Sequence, residues 1–553
     1  MEIEKLKTSR HKEEQLEQLS PFELKDSLIH LASEHENECS RKILDCSHSM
    51  LNAGRGNPNW TATIPREAFF TLGQFGIEEC KRAMKHDSGI AGIPQKKGIA
   101  KRFETFLKNN KQLPGISLLK GIYEYGIKKH NFVADDWVHE LAEGIIGDQY
   151  PSPERMLKHT EIIVHDYLIQ EMCGNKPQRS GKYDIFAVEG GTAAMCYIFN
   201  SLVENGLLNK GDKIAIAVPV FTPYLEIPEL EKFNFEVIFI NGSAKDDNGN
   251  SNFQYPDTEL DKLGDKSIKA FFVINPSNPT SVQICEKCRR YLVKVVKNLN
   301  PNLMIVTDDV YGTFVPGFNS LMNELPGNTL CVYSFSKYFG ATGWRLGVIA
   351  LYEDNIYDSM ISAFPEKVKE MQAKKYETLT LRPEKLKFIN RIVADSRLVA
   401  LNHTAGLSLP QQIQMMLFSA FALLDKENVY KNDCNNIIQN RYSLFWEGMN
   451  MPVYPDPNRA AYYCEIDIHE WAMKNYGKEF IDFLEKNFEP VDIVFRLAEK
   501  SAIVLLNGGG FAGPEWSVRV SLANLEDNDY STIGKELSAT MNDYVEAWKN
   551  IKK

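Results

Sequence analysis

No stretch of this sequence holds about 18 consecutive apolar residues, and its polar N-terminus offers no secretory signal. Membrane spanning and export are therefore not expected, and the cytoplasm is the default compartment. Basic charge is not in excess: 63 Lys and Arg stand against 73 Asp and Glu, a formal net charge of −10, which argues against nucleic acid as a main partner. Internal repeats and low-complexity tracts are lacking too. The polar segment Asp246 to Asn250 reads as an exposed turn rather than a metal loop. The ten cysteines are scattered, with Cys196 and Cys331 in apolar runs, as suits reduced core residues better than a disulfide framework. Cys285-Glu-Lys-Cys288 is a lone CxxC with no second pair to complete a zinc site; it reads as structural, and no metal is expected. What is present, 43% hydrophobic and 25% charged residues over 553 positions, describes a globular chain with room for more than one domain.

The strand and helix signals give an order. Ser20-Pro21-Phe22-Glu23 resembles a capping box with proline at the first helical position, followed by Leu24, Leu28, Leu31 and Ala32 at helical spacing. From about Ser152 to Ile361 strands alternate with helices, the pattern of an α/β, mostly parallel sheet with ligands at the strands' carboxyl ends. Short strands around 460–467, 502–506 and 517–521 follow later helices and suggest a smaller α+β domain that closes over the site with the N-terminal segment. The expected divisions are an arm at 1–60, connecting and inserted helices at 61–150, a large domain at 151–361, a helical linker at 362–400 and a small domain at 401–553.

The segment YSFSKYFGATGWRLG, Tyr333 to Gly347, carries the most chemistry. An apolar run from Thr329 to Ser334 precedes it and another from Trp344 to Tyr352 follows, so Lys337 falls in a Gly-punctuated turn between two strands. Aromatic neighbours desolvate its amine, and with Arg345 nearby such a lysine becomes a nucleophile toward carbonyls. The plainer reading is a hairpin with an incidental lysine.

Serine, two residues, lysine and an arginine at the eighth position after it resemble the cofactor-lysine signature of fold-type I aminotransferases, which use pyridoxal phosphate. Further motifs match in the expected order. Gly190, Gly191 and Thr192, where FAVEGGTAAMCYIF turns from strand to helix, resemble the family's phosphate-binding turn, with Ser334 and Arg345 completing a cup; alone they are a tight βα turn. Phe221 matches the ring-stacking aromatic, although core packing explains an aromatic at a strand end as well. In INPSNPTS, Asn278 matches the asparagine that bonds the cofactor's phenolic oxygen, and Ser281 replaces a customary glycine. In NLMIVTDDVYGTF, Asp308 and Tyr311 match the residues on the ring nitrogen and phenolic oxygen; an Asp-Asp pair also suits a metal, but no His or Cys cluster accompanies it. Arg519 in WSVRVSLAN matches the clamp for a substrate α-carboxylate.

SHSMLNAGRGNPNW, IIGDQYPSPERMLKH and LNHTAGLSLPQQIQM, together with insertions at roughly 85–135 and 367–395, resemble one subgroup, the bifunctional aspartate 4-decarboxylases. The resemblance implies β-decarboxylation of L-aspartate to L-alanine and CO₂, with transamination to 2-oxo acids as a side activity. The alternatives are a plain aminotransferase and, remotely, a non-catalytic binding protein on the same fold. The departing carboxylate loses its charge, so a tight grip on it would favour ground state over transition state. Arg55, between two glycines, is assigned to orient that group, with a loop-contact role as the competing reading. Tyr150 matches the tyrosine that reaches a neighbouring subunit's cofactor phosphate, or packs locally. The first role implies a homodimer at minimum, with a larger assembly of dimers as the further expectation.

Overall fold

A computed structural model describes residue 6 and residues 8–42, 49–246, 249–399 and 406–552. The expected boundary at 400/401, residues 401–405 of one subgroup motif, Ser47 and His48 of another, and Asp247 and Asn248 of the polar turn lie outside the described residues.

Seven strands form the main sheet, in the spatial order Tyr183–Val188, Gly347–Tyr352, Thr329–Ser334, Met304–Asp308, Ile268–Ile274, Lys213–Val218 and Glu236–Asn241. All neighbours are parallel except at Gly347–Tyr352, which runs antiparallel to both strands it touches. Continuous apolar runs such as Ile268-Lys-Ala-Phe-Phe-Val-Ile274 suit strands covered on both faces by helices, and the central strands are buried almost throughout. Because the parallel strands share a direction, the loops carrying Phe221, Asn278, Asp308 and Lys337 all emerge at one end.

A second sheet of three antiparallel strands, Leu506–Asn507, Ser517–Ser521 and Tyr463–Asp467, carries Arg519. Leu51–Asn52 pairs in parallel with Ile503–Val504, so the N-terminal segment is tied to the C-terminal region. The helix Pro21–Lys42 begins at its proline, and the Glu23 carboxylate accepts from both the backbone N–H and the hydroxyl of Ser20 at 3.4 and 3.3 Å. Leu24, Leu28 and Ala32 are fully buried.

Two differences from the sequence reading have physical causes. The strand expected from Trp344 starts at Gly347, because Arg345 adopts a left-handed backbone (φ 55°) that no strand accommodates. Cys196 is exposed, not in the core: on the helix Gly191–Glu204 the buried side is set by Ala194, Met195, Ile198 and Phe199. That helix is braced from behind by the 366–399 segment. Asp395, fully buried, accepts from Ser201 Oγ (2.8 Å), Asn205 Nδ2 (3.0 Å) and Tyr376 Oη (2.9 Å) and pairs with Lys375.

Candidate active site

The strand ends and the second sheet enclose a cavity of about 310 Å³ lined by Lys337, Asp308, Asn278, Tyr311, Phe221, Gly191, Thr192, Ser334, Arg345 and Arg519. Ten of the thirteen residues singled out above are thus brought together. Gly190 stands directly behind them, while Arg55 and Tyr150 are elsewhere.

One end of the cavity is built for an anion. Gly190 caps the helix Gly191–Glu204 with φ 96°, and a Cβ there would lie 2.5 Å from Arg345 Nη2; glycine is required both by the backbone and by the guanidinium. Free N–H groups at the helix start, the Thr192 and Ser334 hydroxyls and Arg345 form a phosphate cradle. Ser336, not anticipated, joins it: its Oγ accepts from Ser334 Oγ at 2.9 Å. Arg345 itself is oriented by the Thr342 and Glu189 carbonyls.

Asp308 closes the strand Met304–Asp308 inside the cavity. Burial pushes its carboxyl above the usual range, opposed by the Tyr224 hydroxyl, which donates to Oδ2 at 2.7 Å, by the Val310 N–H and by the charge of Lys337. Tyr224, noted from sequence only as a second loop aromatic, therefore fixes the acid. A cationic N–H would complete what Tyr224 begins and hold Asp308 ionised. The neighbouring Asp309 turns away into the core, held by Thr307, Ser320 and Cys331, and burial pushes its carboxyl up to about 7. Among the described residues no cluster of three or more metal-ligating side chains occurs.

Lys337 is half-buried rather than enclosed, since its amine opens onto the cavity. Its Nζ donates to the Gly56 carbonyl at 2.9 Å, and the Tyr462 hydroxyl donates to the same oxygen at 2.9 Å. A Cβ on Gly56 would lie 2.5 Å from Tyr463 Oη and 3.3 Å from Lys337 Nζ, so only glycine brings this carbonyl to the amine. Tyr463 Oη stands 3.0 Å from Tyr311 Oη, giving the cavity a linked pair of phenols; burial pushes the Tyr311 phenol well up, so it stays protonated.

Arg519 is 1% exposed. Its Nη1 donates to Asn278 Oδ1 at 3.1 Å and Nη2 to the Gly54 carbonyl at 2.9 Å, while Nε has no partner. Because Asn278 spends its oxygen on Arg519, its amide N–H₂ is left for a ligand. The rings of Tyr463, Phe511 and Phe22 surround the guanidinium at 4.4, 5.0 and 5.8 Å. Burial lowers its pKa, yet arginine keeps its charge in proteins, and a buried guanidinium with no carboxylate hydrogen-bonded to it is built to receive one. Phe22 also meets Phe221 edge-on at 5.4 Å.

Ser281, the departure from glycine, takes φ 60° and is fully buried. Its Oγ accepts the Tyr462 and Tyr463 N–H groups at 2.9 and 3.2 Å, so the hydroxyl orders the two tyrosines that flank the amine. Arg55 is exposed and makes no hydrogen bond or ion pair among the described residues; Gly56 and Asn57 line the cavity in its place. Tyr150 is 77% exposed and lies beside another surface cavity, with Gln149 and His159.

Phe22, Gly56, Tyr462 and Tyr463 escaped the sequence reading. Phe22 sits inside the capping signal that was recognised, and the Gly-Arg-Gly context marks Gly56, but nothing local in AAYYCEID distinguishes its tyrosines from core aromatics.

The residues present fit pyridoxal phosphate: an anion cradle that a Cβ at Gly190 would fill, an amine for its aldehyde, and a buried acid short of one cationic partner. Comparison with known proteins agrees. The family model for class I and II aminotransferases matches residues 187–533. A bifunctional aspartate aminotransferase and L-aspartate beta-decarboxylase of Pseudomonas sp is 45% identical over 540 residues, 97% of this chain and 98% of that protein. Among solved structures, N-succinyldiaminopimelate aminotransferase from Mycobacterium tuberculosis superposes with TM-score 0.54 at 14% identity (96% and 99% of the two chains). The aspartate aminotransferase from Thermus thermophilus with maleate gives 0.51 at 16% (93% and 96%); both show the fold alone. The chain belongs to the class I and II aminotransferase family.

Proposed function

We propose that this protein is an aspartate 4-decarboxylase that releases CO₂ from L-aspartate to leave L-alanine, and that it also transaminates aspartate with 2-oxo acids. The observation that carries the reading is the near full-length similarity to a protein of both activities, joined to a cavity that holds Lys337, Asp308 and Arg519 together. Bound pyridoxal phosphate supplies an aldehyde that condenses with amines and a ring that accepts the electron pair released at the substrate.

The chain's residues then divide the work. Arg519 takes the substrate α-carboxylate with the Nε and Nη donors that its partners leave free. Lys337 Nζ, able to move from the Gly56 carbonyl, takes the Cα proton and returns it. Asp308, fixed by Tyr224, holds the ring nitrogen's proton. Asn278 Nδ2 and the Tyr311 hydroxyl would serve the phenolic oxygen, Phe221 would pack against the ring, and the cradle of Gly190, Gly191, Thr192, Ser334 and Arg345 would hold the phosphate.

The cations lining the cavity are Lys337, Arg345 and Arg519, of which Arg345 belongs to the phosphate end and Arg519 to the α-carboxylate. Among the described residues the distal carboxylate therefore meets no second buried guanidinium, which lets it leave as neutral CO₂. Arg55, exposed and outside the cavity lining, is proposed to orient it. Arg55→Ala is expected to lower kcat/KM for CO₂ release about tenfold, about 1.4 kcal/mol, with little change in thermal stability; unchanged decarboxylation assigns Arg55 to the loop alone. Tyr150, exposed in the single chain, is proposed to serve the phosphate of a second copy in a homodimer, and the cytoplasm is the proposed setting.

The deciding experiment supplies L-aspartate and pyridoxal phosphate, with and without pyruvate, and follows CO₂, alanine and oxaloacetate together. Equal amounts of CO₂ and alanine over many turnovers are expected. Oxaloacetate formed only with pyruvate, without enzymatic CO₂, would make the protein a plain aminotransferase.

A further inference from the structure

The Cys285-Glu-Lys-Cys288 segment is not part of the cavity lining, and its two sulfur atoms lie 3.3 Å apart. Cys285 is the N-cap of the 14-residue helix Glu286–Leu299 and is half-buried; its sulfur accepts the Cys288 backbone N–H at 3.4 Å. Cys288 is 5% exposed, and its sulfur is also 3.3 Å from the Tyr255 carbonyl. The Cys288 thiol donates to that carbonyl, and the Cys285 sulfur stands against the Cys288 sulfur.

The pair is asymmetric. The Cys288 thiol, the N–H groups of Cys288 and Lys287 and the charge of Arg289 all act on Cys285, bringing its thiol down to about 6 against the effect of burial. The same contact, with burial, pushes Cys288 up. A half-buried thiol drawn toward its thiolate thus stands 3.3 Å from a buried second thiol held toward its protonated form, the arrangement of an attacking and a resolving cysteine. Cys196 is the more exposed cysteine, but its thiol is pushed up by desolvation alone.

We propose that Cys285 and Cys288 are a redox-active dithiol site whose oxidant is a low-molecular-weight disulfide. The Cys285 thiolate attacks one sulfur of the small disulfide, a mixed disulfide forms, and the other half leaves as a thiolate that takes a proton from water. Cys288 releases its proton to solvent and attacks the Cys285 sulfur; the two protein sulfurs close to about 2.0 Å and the second small thiolate leaves. Two protein thiols are oxidised and one disulfide is reduced to two thiols. A dithiol reductant reverses the reaction.

The probe is oxidised glutathione on the intact holoenzyme, followed by peptide mapping without reductant. The expected product is a 285–288 disulfide, formed at a rate that rises with pH through a midpoint below that of an ordinary thiol. Cys288→Ser should stop at a glutathione adduct on Cys285, and Cys285→Ser should leave Cys288 unmodified. Iodoacetamide labelling of the unaltered protein at neutral pH needs no variant: Cys285 should react at least about tenfold faster than Cys196. Labelling of Cys285 no faster than Cys196, or a wild-type adduct that never resolves onto Cys288, overturns the proposal.

Discussion

Lys337→Ala is expected to abolish both CO₂ release and transamination, with turnover falling by at least about 10⁴-fold, the upper range for losing a positioned acid–base group. The amine is the one group in the cavity that can both condense with an aldehyde and carry a proton to and from the substrate carbon, so a single truncation removes two functions. The fold should survive. The Gly56 carbonyl that Lys337 occupies keeps its second donor, Tyr462 Oη at 2.9 Å, and one half-buried hydrogen bond is worth about 1 kcal/mol. Steady-state CO₂ assays with a thermal melt check both halves. Residual turnover above about a hundredth of wild type would move the acid–base role to another group.

Arg519→Lys is the second large effect and separates charge from geometry. Lysine keeps the positive charge but cannot reach Asn278 Oδ1, the Gly54 carbonyl and a substrate carboxylate with one fork. At least one buried acceptor loses its donor, at about 1–3 kcal/mol, and bidentate recognition is gone. The expected loss in kcat/KM for aspartate is about 10²–10³-fold, larger than that for Arg55→Ala. Part of it should fall on kcat, because Asn278 loses the contact that orients its amide. Equal kcat/KM for the variant and wild type would place the α-carboxylate elsewhere.

Much of this site could be read from the chain because each key residue ends an apolar strand or opens the helix after one. Asp308 follows Met-Ile-Val-Thr, Asn278 follows Phe-Phe-Val-Ile and stands between two prolines, and Gly190 to Thr192 come just after Phe-Ala-Val. Parallel strands deliver such residues to the same edge, so order along the chain translates into proximity in space. Arg519 needed only its apolar neighbours.

The rest depends on contacts that local pattern does not encode. Tyr224 was visible, but its bond to Asp308 joins a short helix, Pro223–Glu229, to the end of a strand 84 residues later. Gly56, Tyr462 and Tyr463 act through a backbone oxygen and ring edges set by tertiary packing. The Gly-Arg-Gly context drew attention to Arg55, whereas the residues of that loop that line the cavity are Gly56 and Asn57. The CxxC pair reads as structural from spacing alone, which does not report a sulfur-to-sulfur distance or the exposure of Cys285.

The cavity also joins the early and late parts of the chain. Arg519 bonds the Gly54 carbonyl across 465 residues of sequence, Tyr462 bonds the Gly56 carbonyl across 406, and Lys337 bonds it across 281. Closing such loops is slow, and domains form during synthesis as they emerge. The large sheet, within residues 183–352, is complete long before Tyr462 and Arg519 leave the ribosome. A nascent chain would therefore present a finished phosphate cradle and a free Lys337 while its carboxylate clamp was still unmade, so site closure reports that the whole polypeptide has folded.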